Sequence, residues 1–238
     1  GIPTLTPIRE GEVCEAGTPL TVLSFNAKLS GADPAALSEL IRTGRPDAVV
    51  LLETNETLID AVRIQNDLAD ALPYRTREVT QGQASGSVIL SAHPLSLEEN
   101  VPGSEFDQVS AVATMPGDVD VRLAAAHPPP PVWQPNGWLS GLDDMAAWVD
   151  QTSDDRLIVA GDFNASFAHP ALRRLASELR TGAEAAGRGG RNVGHARAAV
   201  ARGNAEIRAH EGDRELGVEV HRDLGDRAVG EGGSGAGE

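Results

Sequence analysis

Short apolar runs and helical stripes alternate along the chain from about residue 20. Leu20–Phe25 is rich in β-formers and Ala48–Leu52 is an unbroken apolar run. Such runs are typical of strands that helices bury on both faces. Between them, Asp33-Pro34 has the pattern of a helix start, an N-cap aspartate before a proline, and Gly44 ends the helix. This part of the chain predicts a strand-helix-strand unit.

The pattern continues to about residue 180. Apolar positions predict helices over Leu58–Leu72, Trp138–Val149 and Ala171–Leu179, and Leu157–Ala160 is a further buried-type strand. Strand signals separated by Gly and Pro turns lie at Tyr74–Thr80, Ser87–Ser91, Leu95–Glu98, Gln108–Met115 and Val119–Ala126. This order of elements predicts an α/β fold, a sheet core flanked by helices.

The last part of the chain has a different composition. Residues 182–238 contain 14 glycines and no aromatic residue, and their large aliphatic residues rarely adjoin. No strand is predicted there, and we interpret the segment as an atypical Gly- and Arg-rich tail, either disordered or read in a shifted frame. Residues 1–19 are interpreted as a lead-in. The predicted folded domain is therefore residues 20–181.

Composition and charge exclude several classes of protein. The lone cysteine, Cys14, excludes an internal disulfide framework and a multi-cysteine zinc site, and no apolar run is long enough for a transmembrane helix. The net charge of −15 argues against sequence-independent wrapping of nucleic acid, which needs a basic surface. An enzyme that handles a phosphate through a bound cation remains compatible with this charge.

The first residue and the near absence of cysteine bear on location. The chain begins with Gly rather than Met, which indicates a processed product or an excised fragment. We expect an exported or extracellular domain of a longer membrane-anchored or secreted precursor. No pattern indicates a stable protein partner, and a monomer is expected.

Chemistry-bearing residues stand where four predicted strands end. They are Asn26, Glu53, His127, and the pair Asp162 and Asn164. Each alone has a structural interpretation, as a turn residue, a solvated strand end or a cap. In an open α/β sheet, however, sites form at the carboxyl ends of the strands, so adjacent strands would bring these side chains together.

The residue types suit hydrolysis of a phosphate ester with a hard cation. Mg²⁺, or Mn²⁺ in its place, uses one or two protein carboxylates and keeps several waters, which makes Glu53 the first candidate ligand and Asn26 a neutral oxygen beside it. Asp162 could orient or deprotonate an attacking water. Asn164 and His127 could donate hydrogen bonds to the phosphate as charge develops.

The connection after His127 carries two of the three tryptophans. Trp133 and Trp138 either pack or line the mouth of a cleft, and Pro128–Pro131 is predicted to stiffen this loop beside the site. Trp148 falls on the apolar stripe of a helix, which predicts a core position.

Several segments together resemble the endonuclease/exonuclease/phosphatase family. They are 21–26 (TVLSFN), 46–53 (PDAVVLLE), 85–95 (SGSVILSAHPL), 124–128 (AAAHP) and 158–165 (IVAGDFNA). The resemblance covers residues 20–180. It implies the deoxyribonuclease I-like fold, a four-layer α-β-β-α sandwich of two mixed sheets, and divalent-metal-dependent phosphoesterase activity. Carried over, Asn26 and Glu53 bind the metal, while His127, Asp162 and Asn164 are catalytic.

The chain departs from the family at its end. The family closes with a strand and a Ser-Asp-His type motif, and this chain shows no clear equivalent: His221-Arg-Asp223 lies in Gly- and Arg-rich sequence, and His210 and Asp213 are weak alternatives. We expect a sandwich that is incomplete at the C-terminus, with impaired acid-base catalysis. The tail has about the length that the family needs with the wrong composition, which favours a shifted frame over an evolved disordered tail.

Three functions remain open at this stage. The leading hypothesis is a metal-dependent phosphoesterase or nuclease. The alternatives are a non-catalytic relative that keeps the fold and metal site, and an unrelated α/β binding domain. The substrate would be a phosphoester of a small molecule, a lipid headgroup or nucleic acid. Since residues 1–181 hold 12 basic and 25 acidic groups, a balance of −13, a small or local phosphoester is favoured over duplex DNA.

Overall fold

Two mixed β-sheets pack face to face, and helices cover the outer side of each, in the computed structural model of the protein. The structure describes residues 19–80, 82–154, 156–165, 169–176, 179–181, 197–202, 205–212 and 215–222. The lead-in, residues 1–18, lies outside the described residues. Strands and helices are numbered below in chain order.

The first sheet contains six strands: β1 (Pro19–Asn26), β2 (Ala48–Leu52), β3 (Tyr74–Arg75), β4 (Ser87–Ser91), β11 (Ala205–Gly212) and β12 (Glu215–Arg222). Their order across the sheet is β11-β12-β1-β2-β4-β3. The central pair, β1 and β2, runs parallel, with Asn26 beside Leu52. Both strands therefore end at the same edge of the sheet.

The second sheet also contains six strands: β5 (Leu95–Asn100), β6 (Val109–Met115), β7 (Val119–Ala126), β8 (Leu157–Asp162), β9 (Arg180–Thr181) and β10 (Arg197–Arg202). Their order is β5-β6-β7-β8-β10-β9. Here β7 and β8 form the parallel pair, with Ala126 beside Gly161. Each sheet thus has one parallel pair at its centre.

Five helices form the outer layers: α1 (Pro34–Gly44), α2 (Glu56–Arg63), α3 (Leu68–Ala71), α4 (Pro135–Gln151) and α5 (Pro170–Ala176). A short 3₁₀ turn occupies Gln83–Ser85. Among the described residues, no helix has both the length and the apolar character needed to cross a bilayer.

The apolar side chains form three core layers. Between the sheets, Val22, Val50 and Ile89 of the first sheet meet Leu123 and Ile158 of the second. The opposite faces pack against helices, the first sheet on α1 to α3 and the second on α4 and α5. Because both faces of the central strands are buried, their sequences are unbroken apolar runs. The four-layer α-β-β-α sandwich that the resemblance implied is confirmed.

Local signals at the start of the chain are confirmed in detail. The Asp33 carboxylate accepts a hydrogen bond from the Ala36 backbone at 2.8 Å, which makes Asp33 the N-cap of α1. The predicted second helix is instead two helices, because Asn66 and Asp67 adopt left-handed backbone angles between α2 and α3. The predicted strand over Tyr74–Thr80 is only the two residues of β3.

The chain after Thr181 differs most from the sequence prediction. Three strands, β10, β11 and β12, lie there; β10 pairs with β8, and β12 pairs with β1 along six residues. The sequences of β11 and β12 alternate small apolar with charged residues, a period-2 signal that alanine and glycine weaken. These strands extend both sheets, where the sequence predicted an open edge. Whether the tail is read in a shifted frame stays a prediction.

Candidate active site

Four of the five predicted site residues meet directly at the carboxyl edge of the two parallel pairs. The Asn26 side-chain amide donates to Glu53 Oε1 at 2.8 Å and to Asp162 Oδ2 at 3.4 Å. His127 Nε2 lies 3.5 Å from the same Glu53 oxygen. Asn26 and Glu53 belong to the first sheet, whereas His127 and Asp162 belong to the second. The site therefore spans the interface between the sheets, and packing of the two sheets creates it.

A tight loop after β1 fixes the Glu53 carboxylate. Lys28, Leu29 and Ser30 have positive φ angles of 49°, 57° and 63°, and Glu53 itself has φ of 50°. The Leu29 backbone N–H donates to Glu53 Oε2 at 2.9 Å, and Ser30 N–H donates to the Glu53 carbonyl at 2.7 Å. Such backbone angles are costly for non-glycine residues and concentrate at functional sites. Here the strained backbone of the loop places the Leu29 N–H where it fixes the orientation of the Glu53 carboxylate.

In the Gly-Asp-Phe-Asn stretch, residues 161–164, the contacts of each residue explain why that residue type is present. A Cβ at Gly161 would lie 2.0 Å from the Ala126 carbonyl oxygen, so only glycine fits between β7 and β8. Phe163 is fully buried in the core against α4 and α5. Asp162 accepts from the Asn164 backbone at 3.0 Å, and Asn164 Nδ2 donates to the Pro128 carbonyl at 3.0 Å. Asn164 is thereby held at the site by its neighbours.

His127 is the most enclosed member of the site. Its side chain is 1% exposed, and neither ring nitrogen has a hydrogen-bond partner among the described residues. Burial lowers the pKa of His127, against the opposing influence of Asp162, Glu53 and the nearby Ala84 backbone. Buried polar atoms without partners are costly, so the free nitrogens of this neutral imidazole point to a ligand.

Sequence reasoning missed Gln108, which supports His127 from behind. Gln108 is buried, its Oε1 accepts from the His127 backbone N–H at 3.0 Å, and its amide donates to the Ser104 hydroxyl. The Phe106 ring lies 5.4 Å from the imidazole, centroid to centroid. The available signal was a glutamine directly before a strand that is almost entirely buried, Val109–Met115.

The donor set fits a hard divalent cation. Glu53 and Asp162 place two carboxylates around one amide, and no described Arg or Lys side chain pairs with either. No group of three or more His, Cys, Asp or Glu side chains able to hold a metal occurs within the described part of the chain. Mg²⁺ needs no such group, because it binds through one or two carboxylates and retains water. Two carboxylates that share one amide, with no described Arg or Lys side chain paired to either, suit a bound cation.

The two histidines that could replace the missing acid-base histidine, His210 and His221, lie in strands β11 and β12. The register puts His221 beside Pro19, at the end of β1 opposite to Asn26. His210 lies in β11, opposite Gly217 of β12. Asp213 and Asp223 lie outside the described residues. His221 is therefore not at the site edge.

The sequence also matches a family model. The model of the Endonuclease/Exonuclease/phosphatase family matches residues 23–208, which is most of the chain. The chain belongs to this family. The match begins in β1, includes all five predicted site residues and continues into β11. No curated protein sequence shows a significant match.

Solved structures share the fold at low sequence identity. Truncated TDP2 of Caenorhabditis elegans has a TM-score of 0.64 at 13% identity, over 86% of this chain and 98% of that one. Sphingomyelinase C of Streptomyces griseocarneus has a TM-score of 0.59 at 15% identity, over 86% and 99%. An endonuclease/exonuclease/phosphatase from Beutenbergia cavernae has 0.57 at 16%, over 85% and 70%. At such identities the likeness establishes the fold alone.

Proposed function

We propose that this protein hydrolyses a phosphoester bond with a divalent cation, Mg²⁺ or Mn²⁺. The observation that carries the proposal is the convergence of Glu53, Asn26, Asp162 and His127 at one edge of the sandwich. Membership of the Endonuclease/Exonuclease/phosphatase family supports the same class of reaction. A substrate with an anionic phosphate needs a cation to approach two carboxylates.

Glu53 and Asn26 are the residues that would hold the cation. The Glu53 carboxylate is already aimed by the Leu29 N–H, and Asn26 contributes a side-chain carbonyl oxygen that accepts from the Lys28 backbone at 2.9 Å. When bound, such an ion acts as a Lewis acid on a phosphoryl oxygen and stabilises the leaving oxygen.

The remaining residues bind the phosphate and move protons. Asp162 orients an attacking water and accepts its proton. One N–H of the Asn164 side chain is committed to Pro128, which leaves its second N–H for a phosphate oxygen. His127 can donate from a ring nitrogen that has no other described partner. Donors held in place before the reaction stabilise the charge that develops in the transition state.

A non-catalytic relative is the second candidate. The C-terminal part of the sequence shows no clear acid-base Asp-His pair of the family's kind, and one candidate, His221, lies beside Pro19, at the end of β1 opposite to Asn26. Loss of acid-base catalysis typically lowers a rate by about 10²–10⁴-fold. We therefore expect slow turnover compared with a family member that has this pair.

Glu53→Gln provides the deciding experiment. Hydrolysis of bis(p-nitrophenyl) phosphate with Mg²⁺ or Mn²⁺ is expected in the wild type, to be lost with EDTA, and to fall by about 100-fold or more in the variant. Asp118→Asn, an exposed carboxylate in the turn before β7, at the end of that strand opposite to His127, is the matched control and should keep full activity. Thermal stabilisation by Mg²⁺ without any turnover would favour the non-catalytic relative. An unchanged rate in Glu53→Gln would overturn the site assignment.

A further inference from the structure

Exposed apolar side chains lie on the loop after β1, on the loop after His127 and in the first part of α4. We call Leu29, Val132, Trp133 and Leu139 the apolar rim; all four are exposed. Leu29 lies on the loop whose backbone N–H binds the Glu53 carboxylate. Val132 and Trp133 follow the proline run Pro128–Pro131, which begins directly after His127 and whose first carbonyl accepts a hydrogen bond from Asn164. Leu29 thus lies beside the site on the side of the first sheet, and Val132 and Trp133 lie on the loop that leaves the site on the side of the second sheet.

The loop that carries Trp133 is stiff. Pro128–Pro131 restricts the backbone, and the N–H groups of Trp133 and Gln134 both donate to the Pro130 carbonyl, at 3.0 and 3.1 Å. The loop ends where α4 begins at Pro135. At its other end, Gly141 of α4 packs closely against Pro128. The loop therefore holds Trp133 in a fixed, solvent-exposed position.

The other two tryptophans show how unusual this exposure is. Trp148 is buried and donates to Glu99, and Trp138 packs on the α4–α5 core and donates to the Phe163 carbonyl. Trp133 is 63% exposed and Val132 is 83% exposed. Groups this open do not line a closed pocket. Exposed apolar side chains beside a polar site indicate an interaction surface, and tryptophan favours an interface between apolar and aqueous phases.

The net charge of the chain indicates which kind of partner surface the apolar rim can bind. The chain carries a net charge of −15, which repels nucleic acid and anionic membranes. A zwitterionic phospholipid layer carries no net charge, and its outermost group is an ammonium, which complements the carboxylates of Glu53 and Asp162. A phosphodiester lies directly beneath that ammonium, at the depth that an apolar rim entering the layer would reach.

We propose that the apolar rim seats the protein on a zwitterionic phospholipid surface, so that the site receives a lipid phosphodiester headgroup. This inference rests on the proposed phosphoesterase function for the reaction, but not for the binding. Trp133 and Val132 are then determinants of substrate class.

Vesicle binding tests the rim directly. Phosphatidylcholine vesicles should bind the wild type and shift its tryptophan fluorescence to the blue, since Trp133 is the most exposed of the three tryptophans. Trp133→Ala and Val132→Ala should weaken binding, roughly tenfold for the tryptophan, and Trp133→Phe should restore most of it. Ile64→Ala is the matched control. Ile64 is 83% exposed, like Val132, but it caps the end of α2 that points away from the site.

Two substrates separate this proposal from the proposed function. Trp133→Ala should lower hydrolysis of vesicle phosphatidylcholine or sphingomyelin far more than hydrolysis of soluble bis(p-nitrophenyl) phosphate. No hydrolysis of either substrate by the wild type would refute the phosphoesterase function, while vesicle binding would still report on the rim. The rim proposal is refuted by absent vesicle binding, by an equal loss in Ile64→Ala, by preference for phosphatidylglycerol vesicles, or by single-stranded DNA binding that Trp133→Ala abolishes.

Discussion

The buried imidazole of His127 shows how single residues are held ready in this site. Its backbone is fixed by Gln108, and its ring contacts Phe106, while both ring nitrogens keep their hydrogen-bonding capacity. A polar side chain in this state destabilises the isolated fold, because its hydration is lost without replacement. A bound phosphate would supply the missing partner. Under the proposed function, the stability that is lost in this way is the cost of holding a His127 ring N–H ready to donate to the phosphate.

Gln108→Leu tests that support at the residue scale. Leucine leaves the buried His127 N–H without an acceptor, so we expect unfolding in urea to require about 1–3 kcal/mol less free energy. The kcat of a phosphodiester substrate should also fall, with a smaller change in KM, because the imidazole loses its fixed position. Gln65→Leu, which removes a side chain–backbone hydrogen bond on α2, is the control. It should lower stability and leave kcat unchanged; equal kcat in Gln108→Leu would show that Gln108 has a structural role alone.

At the scale of elements, the first turn of α2 pins the short strand β3. Both guanidinium arms of Arg75 donate to the Glu56 carboxylate at 2.8 Å, and the Val79 N–H donates at 2.7 Å. The hydrogen bonds from Arg75 lower the pKa of Glu56 below its ordinary value of 4.5, against partial desolvation. A lowered folded-state pKa stabilises the fold above the unfolded pKa, and that contribution is lost as pH falls through the folded value.

Glu56→Gln should therefore act in a pH-dependent way. At pH 7 we expect the free energy of unfolding to fall by about 1 kcal/mol. The difference between wild type and variant should shrink as pH drops below 4.5, the ordinary value. Urea denaturation at several pH values measures this difference. Glu39→Gln, in the fully exposed pair with Arg42, should have a smaller effect. A difference that stays constant down to acidic pH would contradict the linkage.

The contact between β7 and β8 depends on one glycine. Gly161→Ala would place a methyl group 2.0 Å from the Ala126 carbonyl oxygen, in backbone that cannot move aside cheaply. We expect a loss of about 3 kcal/mol in the free energy of unfolding. Gly117→Ala is the contrasting control: its φ of 81° opposes alanine, but nothing lies within 4 Å of the added carbon. That variant should cost about 1 kcal/mol. Equal chemical denaturation midpoints for the two variants would contradict the steric argument.

At the scale of the whole molecule, the strands after Thr181 extend both sheets. Strand β12 covers the edge of β1 from Pro19 to Ser24, immediately before Asn26. An uncovered strand edge invites association with other chains. Because β12 pairs with the strand that ends at Asn26, we expect loss of β12 to destabilise the candidate site.

Two truncations measure that link. A chain ending at residue 202 lacks β11 and β12, and we expect its melting temperature to fall by roughly 10 °C, with aggregation and loss of activity. A chain ending at residue 222 keeps every described strand and should melt like the full chain. If the chain ending at residue 202 is as stable as the full chain, β11 and β12 contribute nothing to the fold, as the composition of the tail predicted.

Local patterns in the sequence determined the strands and helices that position the site. Unbroken apolar runs predicted β2 and β8 because both faces of these strands are buried. Asp33-Pro34 predicted the start of α1 because capping depends on neighbouring residues. The five candidate site residues were selected because each stands at or just after the end of a predicted strand. The prediction was weakest after Thr181, where alanine and glycine give little strand preference and pairing with β1 and β8 decides the structure.

Only the tertiary structure decided which atoms meet. Glu53 and Asp162 come from different sheets, and no local pattern encodes the packing that places both against Asn26. Gln108 lies 19 residues before His127 and supports it through a contact between neighbouring loops. The exposure of Trp133, beside two tryptophans that are buried or half-buried, likewise depends on how α4 packs against the second sheet. Sequence periodicity records which face of an element is buried, whereas contacts between distant segments are fixed only when the layers pack together.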